Sequence, residues 1–245
     1  QVLRRLSRET WAYFEDFVNK KNNWLGPDNF QEDPNNGLAH RTSPTNMGMG
    51  LISNVAAYDF GYIGITEVVE RIDSIIISME ELKGYKGHFY NWYDTRTKKP
   101  LFPRFISTVD SGNLVGYFWV CAESLREFLN CPIINIKCKS GIVDSSILAG
   151  EELENKTGIK DIFSNLGDVI EECDFEKNWR LEKLDYLNNR TYEIEIEHIG
   201  NHLYWNHKLR YMINTYNNEI QNLLFCTELI KNSNNDKLIS VLNNL

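Results

Sequence analysis

Apolar residues recur every three to four positions along most of this chain, the signature of helices that bury one side. From residue 2 to about 19, Leu3, Leu6, Thr10, Trp11, Phe14 and Phe17 form a wide stripe and predict an amphipathic helix. Ser43 followed by Pro44 pairs a cap with a residue suited to the first turn, so a second helix is expected to reach about Tyr58. Its small residues Gly48, Gly50, Ser53, Ala56 and Ala57 predict close packing against neighbours. Thr66 is placed to cap a third helix, with Val68, Val69, Ile72, Ile75, Ile76, Met79 and Leu82 on its buried side and Gly84 at its end. Either Ser107 or Asp110 suits the start of a fourth, in which Leu114, Phe118, Cys121, Leu125 and Phe128 or Leu129 face inward.

The second half changes character. Residues 144–157, 159–173 and 175–189 carry short helical patterns, and residues 193–231 read as one long helix or two broken near Gly200. The asparagine-rich tail, residues 232–244, reads as compositional drift. No sequence repeat is visible. The fold class expected is all-α, built from helical hairpins with the polar loops gathered at one end.

Four stretches interrupt the helical patterns: WLGPDNFQEDP (residues 24–34), HRTSPTN (40–46), GHFYNWYDT (87–95) and STVDSGN (107–113). Loops on a rigid scaffold are where chemistry is presented, and residues 88–105 form a long one with room for a short hairpin. Trp24, Trp92 and Tyr93 offer flat apolar faces for sugar rings. Asp28, Glu32, Asp94 and Asp110 add carboxylates, and Asn29, Gln31, Thr42, Asn46, Asn91, Ser111 and Asn113 add neutral hydrogen-bonding groups. His40 and Arg41 lead into a helix N-terminus, whose unpaired N–H groups favour partial negative charge. That mixture reads as a carbohydrate site. Plainer readings stand beside it: Asp28 and Asp33 as turn residues, Asp110 as a helix cap, Arg41 as a brace for a neighbouring carboxylate, Phe30 and Tyr90 as core.

Charge sharpens the ligand class. With 34 acidic against 26 basic residues the net charge is -8, which argues against a nucleic-acid surface and suits a neutral sugar. Cys121, Cys131, Cys138, Cys173 and Cys226 are scattered and odd in number, which predicts reduced thiols and a cytoplasmic setting. No apolar run reaches the roughly 18 to 20 residues of a membrane span, and no signal segment opens the chain, which begins at Gln1 inside a helix pattern and reads as a piece of a longer polypeptide. His198 and His202 share a helical face near Glu195, Glu197 and His207, but the glutamate of a zinc-protease motif is missing and a solvated face explains the pattern. SGNL and GYIG lack the spacing of phosphate loops. Neither a metal nor a cofactor is expected.

The words TWAYFEDFV, NWLGPDNFQEDP, AHRTSPTN, GYIG, GHFYNWYDTRTKKPL and STVDSGNL, in that order between residue 4 and about 128, resemble the central glycoamylase-like domain of cyclic β-1,2-glucan synthases. The resemblance implies an (α/α)6 toroid, related to endo-β-1,2-glucanases, that acts on β-1,2-glucan by retaining transglycosylation. It also implies a parent polypeptide with a membrane-embedded glycosyltransferase before this domain and a phosphorylase-like toroid after it, hence a tether to the inner face of the membrane. Residues 131–245 carry no motif of that family, and they read as a divergent helical segment of the same domain or an appendage to residues 1–130. Two words that the family uses further on, resembling YDLLASEAR and ESAYN, do not occur here. Retaining chemistry needs two carboxyl groups about 5 to 5.5 Å apart, so the chain is expected to form one wall of the groove without the main catalytic pair. Glu32 and Asp110 are the catalytic candidates within it. Two other readings remain open: a β-glucan-binding module without catalysis, and a structural segment that packs on a partner or on a second copy of itself.

Overall fold

The computed structural model describes residues 2–132, 137–157, 181–197 and 203–232 of the 245. Seven α-helices are present among them, with four two-residue strands in the loops; a closed toroid is not seen. Helix α1 spans Val2–Phe17, and a short 3-10 turn follows at Lys20–Asn22, capped by the Asn19 side chain and closed by Asn23 in the left-handed region. Strands β1 (Phe30–Gln31) and β2 (Gly37–Leu38) form one hairpin. Strand β3 (Arg41–Thr42) leads into α2 (Pro44–Phe60). Then come α3 (Ile65–Glu80), β4 (Tyr93–Asp94), α4 (Thr108–Phe128), α5 (Lys137–Thr157), α6 (Leu181–Glu197) and α7 (Tyr204–Asn232).

Local chemistry explains most of these boundaries. Ser43 is extended, its Oγ accepts the Asn46 N–H at 3.2 Å, and Pro44 fills the first turn, as its fixed φ favours. Gly61 ends α2 at φ 77° and donates back to Ala57 and Tyr58. Ser107 caps α4 by accepting the Asp110 N–H at 3.2 Å, so of the two candidates the serine is the cap. Thr66 does not cap α3. Gly64 holds that position without a side-chain bond, and the Glu219 carboxylate of α7 accepts the Thr66 N–H at 2.7 Å instead.

Helix α5 begins seven residues before the expected start, and the pattern at residues 193–231 is carried by two helices, one ending at Glu197 and the next beginning at Tyr204. The pattern expected at residues 159–173, together with Cys173, His198, His202 and the asparagine-rich tail beyond Asn232, lies outside the described residues. Of the described cysteines, Cys121, Cys131, Cys138 and Cys226 are free thiols. No described helix is long and apolar enough to cross a membrane.

Two apolar cores result. Trp11, Met47, Leu51, Val68, Ile75, Tyr93 and Leu114 belong to the first, with α2 packed against α1, α3 and α4. Cys138, Ile142, Leu153, Ile194, Leu209 and Ile213 belong to the second, with α7 packed against α5 and α6. A polar seam joins them. Arg8, 1% exposed, donates to Ser145 Oγ at 2.8 Å and pairs with Glu15 at 3.3 Å; Arg4 meets Asp144 at 2.7 Å; Tyr204 donates to Asp16 at 2.6 Å; Lys208 bridges Glu15 and Asp16. Where α2 ends against α5 the approach is backbone to backbone, and a β-carbon on Gly141 would overlap the Gly61 carbonyl.

Helix α4 is the most solvated of the first group. Leu114, Cys121 and Phe128 turn inward as expected, but Phe118 is 37% exposed and Leu129 85%. Val115 and Trp119 face solvent.

Candidate functional site

Strands β3 and β4 pair antiparallel, with Arg41 opposite Asp94 and Thr42 opposite Tyr93. Side chains alternate across a strand, so one pair turns inward and the other outward. Thr42 and Tyr93 are both fully buried. The Tyr93 hydroxyl donates to the Lys83 carbonyl at 2.9 Å and accepts the Tyr90 N–H at 2.8 Å, which makes it a core residue and not a surface for sugar. Arg41 points out, and its Nε and Nη2 both donate to Asp28 Oδ2, at 3.0 and 2.7 Å.

From Arg41 a continuous set of contacts runs through four of the sequence stretches. The guanidinium lies over the Trp92 ring, 4.9 Å from its centroid. In the amide orientation that satisfies both neighbours, Asn91 accepts from Trp92 Nε1 at 2.8 Å and donates to Asp110 Oδ2 at 3.0 Å. Asp110 Oδ1 accepts from Thr45 Oγ1 at 2.7 Å, and Thr45 in turn accepts from Asn113 Nδ2 at 3.2 Å. Thr45 is followed by Asn46, whose amide donates to Asp28 Oδ1 at 3.3 Å, and the contacts close into a ring. Asn29 adds an amide donor to Asp28 at 3.1 Å. Two helix N-termini, those of α2 and α4, supply Thr45, Asn46 and Asp110, and their dipoles favour the negative charge held there.

The two carboxylates have different settings. Asp28 is tied to one guanidinium and two amides. Burial works against the Asp110 carboxylate, but the Ser107, Thr45 and Ser43 hydroxyls outweigh it and hold its pKa below the usual range. Such a group accepts hydrogen bonds or stabilises positive charge; it does not serve as a proton donor near neutral pH.

The remaining candidates lie outside this ring. Asp94 is a turn residue: its Oδ1 accepts the N–H groups of Arg96 and Thr97, both at 2.9 Å. His40 braces the same loop through Asn22 at 3.1 Å and Thr95 at 3.4 Å. Gln31 and Glu32 sit on the β1–β2 hairpin, where Gln31 accepts from Asn36 at 3.0 Å and Glu32 is exposed in the turn. Ser111 has a buried Oγ without a hydrogen-bond partner. Trp24 packs beside Arg71 at 5.5 Å and lines a separate hollow with Glu67 and Tyr211. Phe30, read as core, is 43% exposed and stacks on Phe17. Thr45 was not among the candidates, although it stands between a cap and a chosen asparagine in the same word. Among the described residues, no group of three or more His, Cys, Asp or Glu side chains is placed to hold a metal ion.

No protein-family model matches the chain. In a structural comparison, a glucoamylase-like protein of Bacteroides fragilis NCTC 9343 superposes at a TM-score of 0.34 and 16% identity, over 81% of this chain and 38% of that one. By sequence, the chain is homologous to a segment of the cyclic beta-(1,2)-glucan synthase NdvB of Rhizobium meliloti (strain 1021), 39% identical over 173 residues that take in 70% of this chain and 6% of that protein's length.

Proposed function

We propose that this chain forms part of the wall of a β-1,2-glucan groove in a carbohydrate-active enzyme, with the open parts of the ring around Arg41 and Trp92 as its sugar-contacting surface and buried Asn91 bracing Trp92 against Asp110. The observation that carries the reading is that ring: residues distant in sequence meet as an aromatic plate flanked by amides, a guanidinium and two carboxylates. This is the set of groups that grips a polyhydroxylated ring with apolar CH faces. The homology to a segment of a cyclic β-1,2-glucan synthase supports the β-1,2 linkage in this reading. Arg41 covers the Trp92 face it contacts, so glucose stacks on the indole area left open and hydrogen-bonds to Arg41, Asn46 and Asn113 around it.

A binding role has one observation in its favour over a catalytic one. The Asp110 carboxylate is held low and already surrounded by donors, so it is not the group that protonates the glycosidic oxygen. Glu32 stands exposed in the turn of the β1–β2 hairpin, outside the ring.

Titration with linear β-1,2-gluco-oligosaccharides, followed by tryptophan fluorescence, tests the proposal. Trp92→Ala should weaken binding by about 1 kcal/mol, roughly fivefold, while a β-1,4 oligosaccharide of equal length binds less tightly to both proteins. Equal affinity of Trp92→Ala and wild type for the β-1,2 ligand would falsify the groove assignment.

A further inference from the structure

The hollow beside Trp24 has a different chemistry from the ring. It has a volume of about 350 Å³ and lies between α3 and α7, with Trp24, Glu67, Arg71 and Tyr211 among its walls. Glu67 is 8% exposed, and its Oε1 is buried without a hydrogen-bond partner. The nearest cation, Arg71 Nη1, is 3.6 Å away, beyond hydrogen-bond reach. Arg71 is committed elsewhere: Nε donates to Asn54 at 2.7 Å, and Nη2 to the Phe14 and Val18 carbonyls at 3.2 and 3.1 Å. Glu70 and Asp73, both exposed, also line the hollow, so three carboxyl groups face one engaged guanidinium.

A buried acceptor left open costs its desolvation free energy until a donor arrives. We propose that this hollow binds a small organic primary ammonium ion, whose N–H groups donate to Glu67 while its apolar body lies against Trp24 and Tyr211. An ammonium group carries three donors and no acceptor, which matches an acceptor-rich wall, and the aromatic side chains give its apolar body a surface to pack on. Glu70 and Asp73 add attraction without being desolvated. A neutral alcohol would fill the acceptor and leave the surplus negative charge unopposed. The assignment does not depend on the glucan reading.

The site carries its own pH signature. Burial pushes Glu67 up to about 7; Arg71 pulls it down, and Glu15, Glu70 and Glu219 push it further up. The groups facing it from packed helices are Glu15 of α1, itself paired with Arg8 and Lys208, and Tyr211 and Glu219 of α7. A bound cation favours the ionised carboxylate, so affinity should rise between pH 6 and pH 8, by up to about tenfold for one group titrating midway.

Calorimetric titration of the 245-residue chain with cyclohexylammonium chloride, with cyclohexanol as the neutral isostere and glucose as a neutral polyol, tests this. The amine should bind, severalfold more tightly at pH 8 than at pH 6. Glu67→Gln should weaken it and flatten the pH dependence. Glu70→Gln and Asp73→Asn, exposed positions that leave the fold intact, should each weaken binding at low salt, and Trp92→Ala should not alter it. Absence of binding, cyclohexanol or glucose binding as tightly as the amine, or full affinity in both exposed variants would overturn the assignment.

Discussion

Asp110 is the residue on which two roles meet. Its backbone N–H completes the cap of α4 on Ser107, and its carboxylate closes the ring through Thr45 and Asn91. Ser107→Ala should therefore act twice: stability falls by about 1 kcal/mol for the lost cap, and the Asp110 pKa moves up towards the ordinary carboxylate range. Denaturant unfolding measures the first effect and a carboxyl-carbon NMR titration the second. The Ser43 cap is legible in the sequence, and the cap of α4 is narrowed there to Ser107 or Asp110, because a cap is a local device, complete within four residues. The inward turn of Tyr93 and Thr42 is not legible in the sequence, because two-residue strands carry no period from which to tell the inward side from the outward. Their pairing joins residues about fifty positions apart, and no local signal announces it.

At the scale of elements, close approaches decide where helices can lie. Gly141 of α5 meets the Gly61 carbonyl at the end of α2, with no room for a β-carbon. Gly141→Ala should destabilise by about 1 to 3 kcal/mol, the usual range for overpacking, and thermal unfolding would register it; a variant as stable as wild type would mean the helices separate at no cost. The stripe of α1 and the small residues of α2 foretold helices and tight packing. Neither could say which partner lies across the gap. The same limit explains Thr66, a sound local candidate for a cap that is displaced by a carboxylate 153 residues away. Helix α4 marks another boundary of pattern reading: its apolar residues encircle it, so spacing could not separate buried Leu114 and Cys121 from exposed Val115 and Trp119.

For the whole molecule, Glu67 sets a slope of stability with pH. In the unfolded chain its pKa returns to the ordinary 4.5, while in the folded protein it stands near 7. Between these values the unfolded state has given up a proton that the folded state retains. Stability from this group is therefore greatest below pH 4.5, declines as pH rises and levels off above 7, a span of about 3 kcal/mol at most. Urea midpoints across pH 5 to 8 should show the decline in wild type and lose it in Glu67→Gln; parallel curves would contradict it. The words of the first half make most of the ring's residues readable one by one, Thr45 excepted. What they left unread was the seam, because Arg8, Lys208 and Glu219 find their partners only after two cores have come together.

That seam bears on any attempt at dissection. Glu219 belongs to α7, yet it tethers the first turn of α3, and Tyr216 of the same helix donates to the Gly61 carbonyl at 2.9 Å. A product ending at residue 132 would keep every member of the ring while stripping the lining from Arg8 and the clasp from α3. Expressed by itself, it should melt at a lower temperature than the complete chain and expose its α3 amides to faster hydrogen exchange, so the half with the recognisable words borrows its rigidity from the half without them.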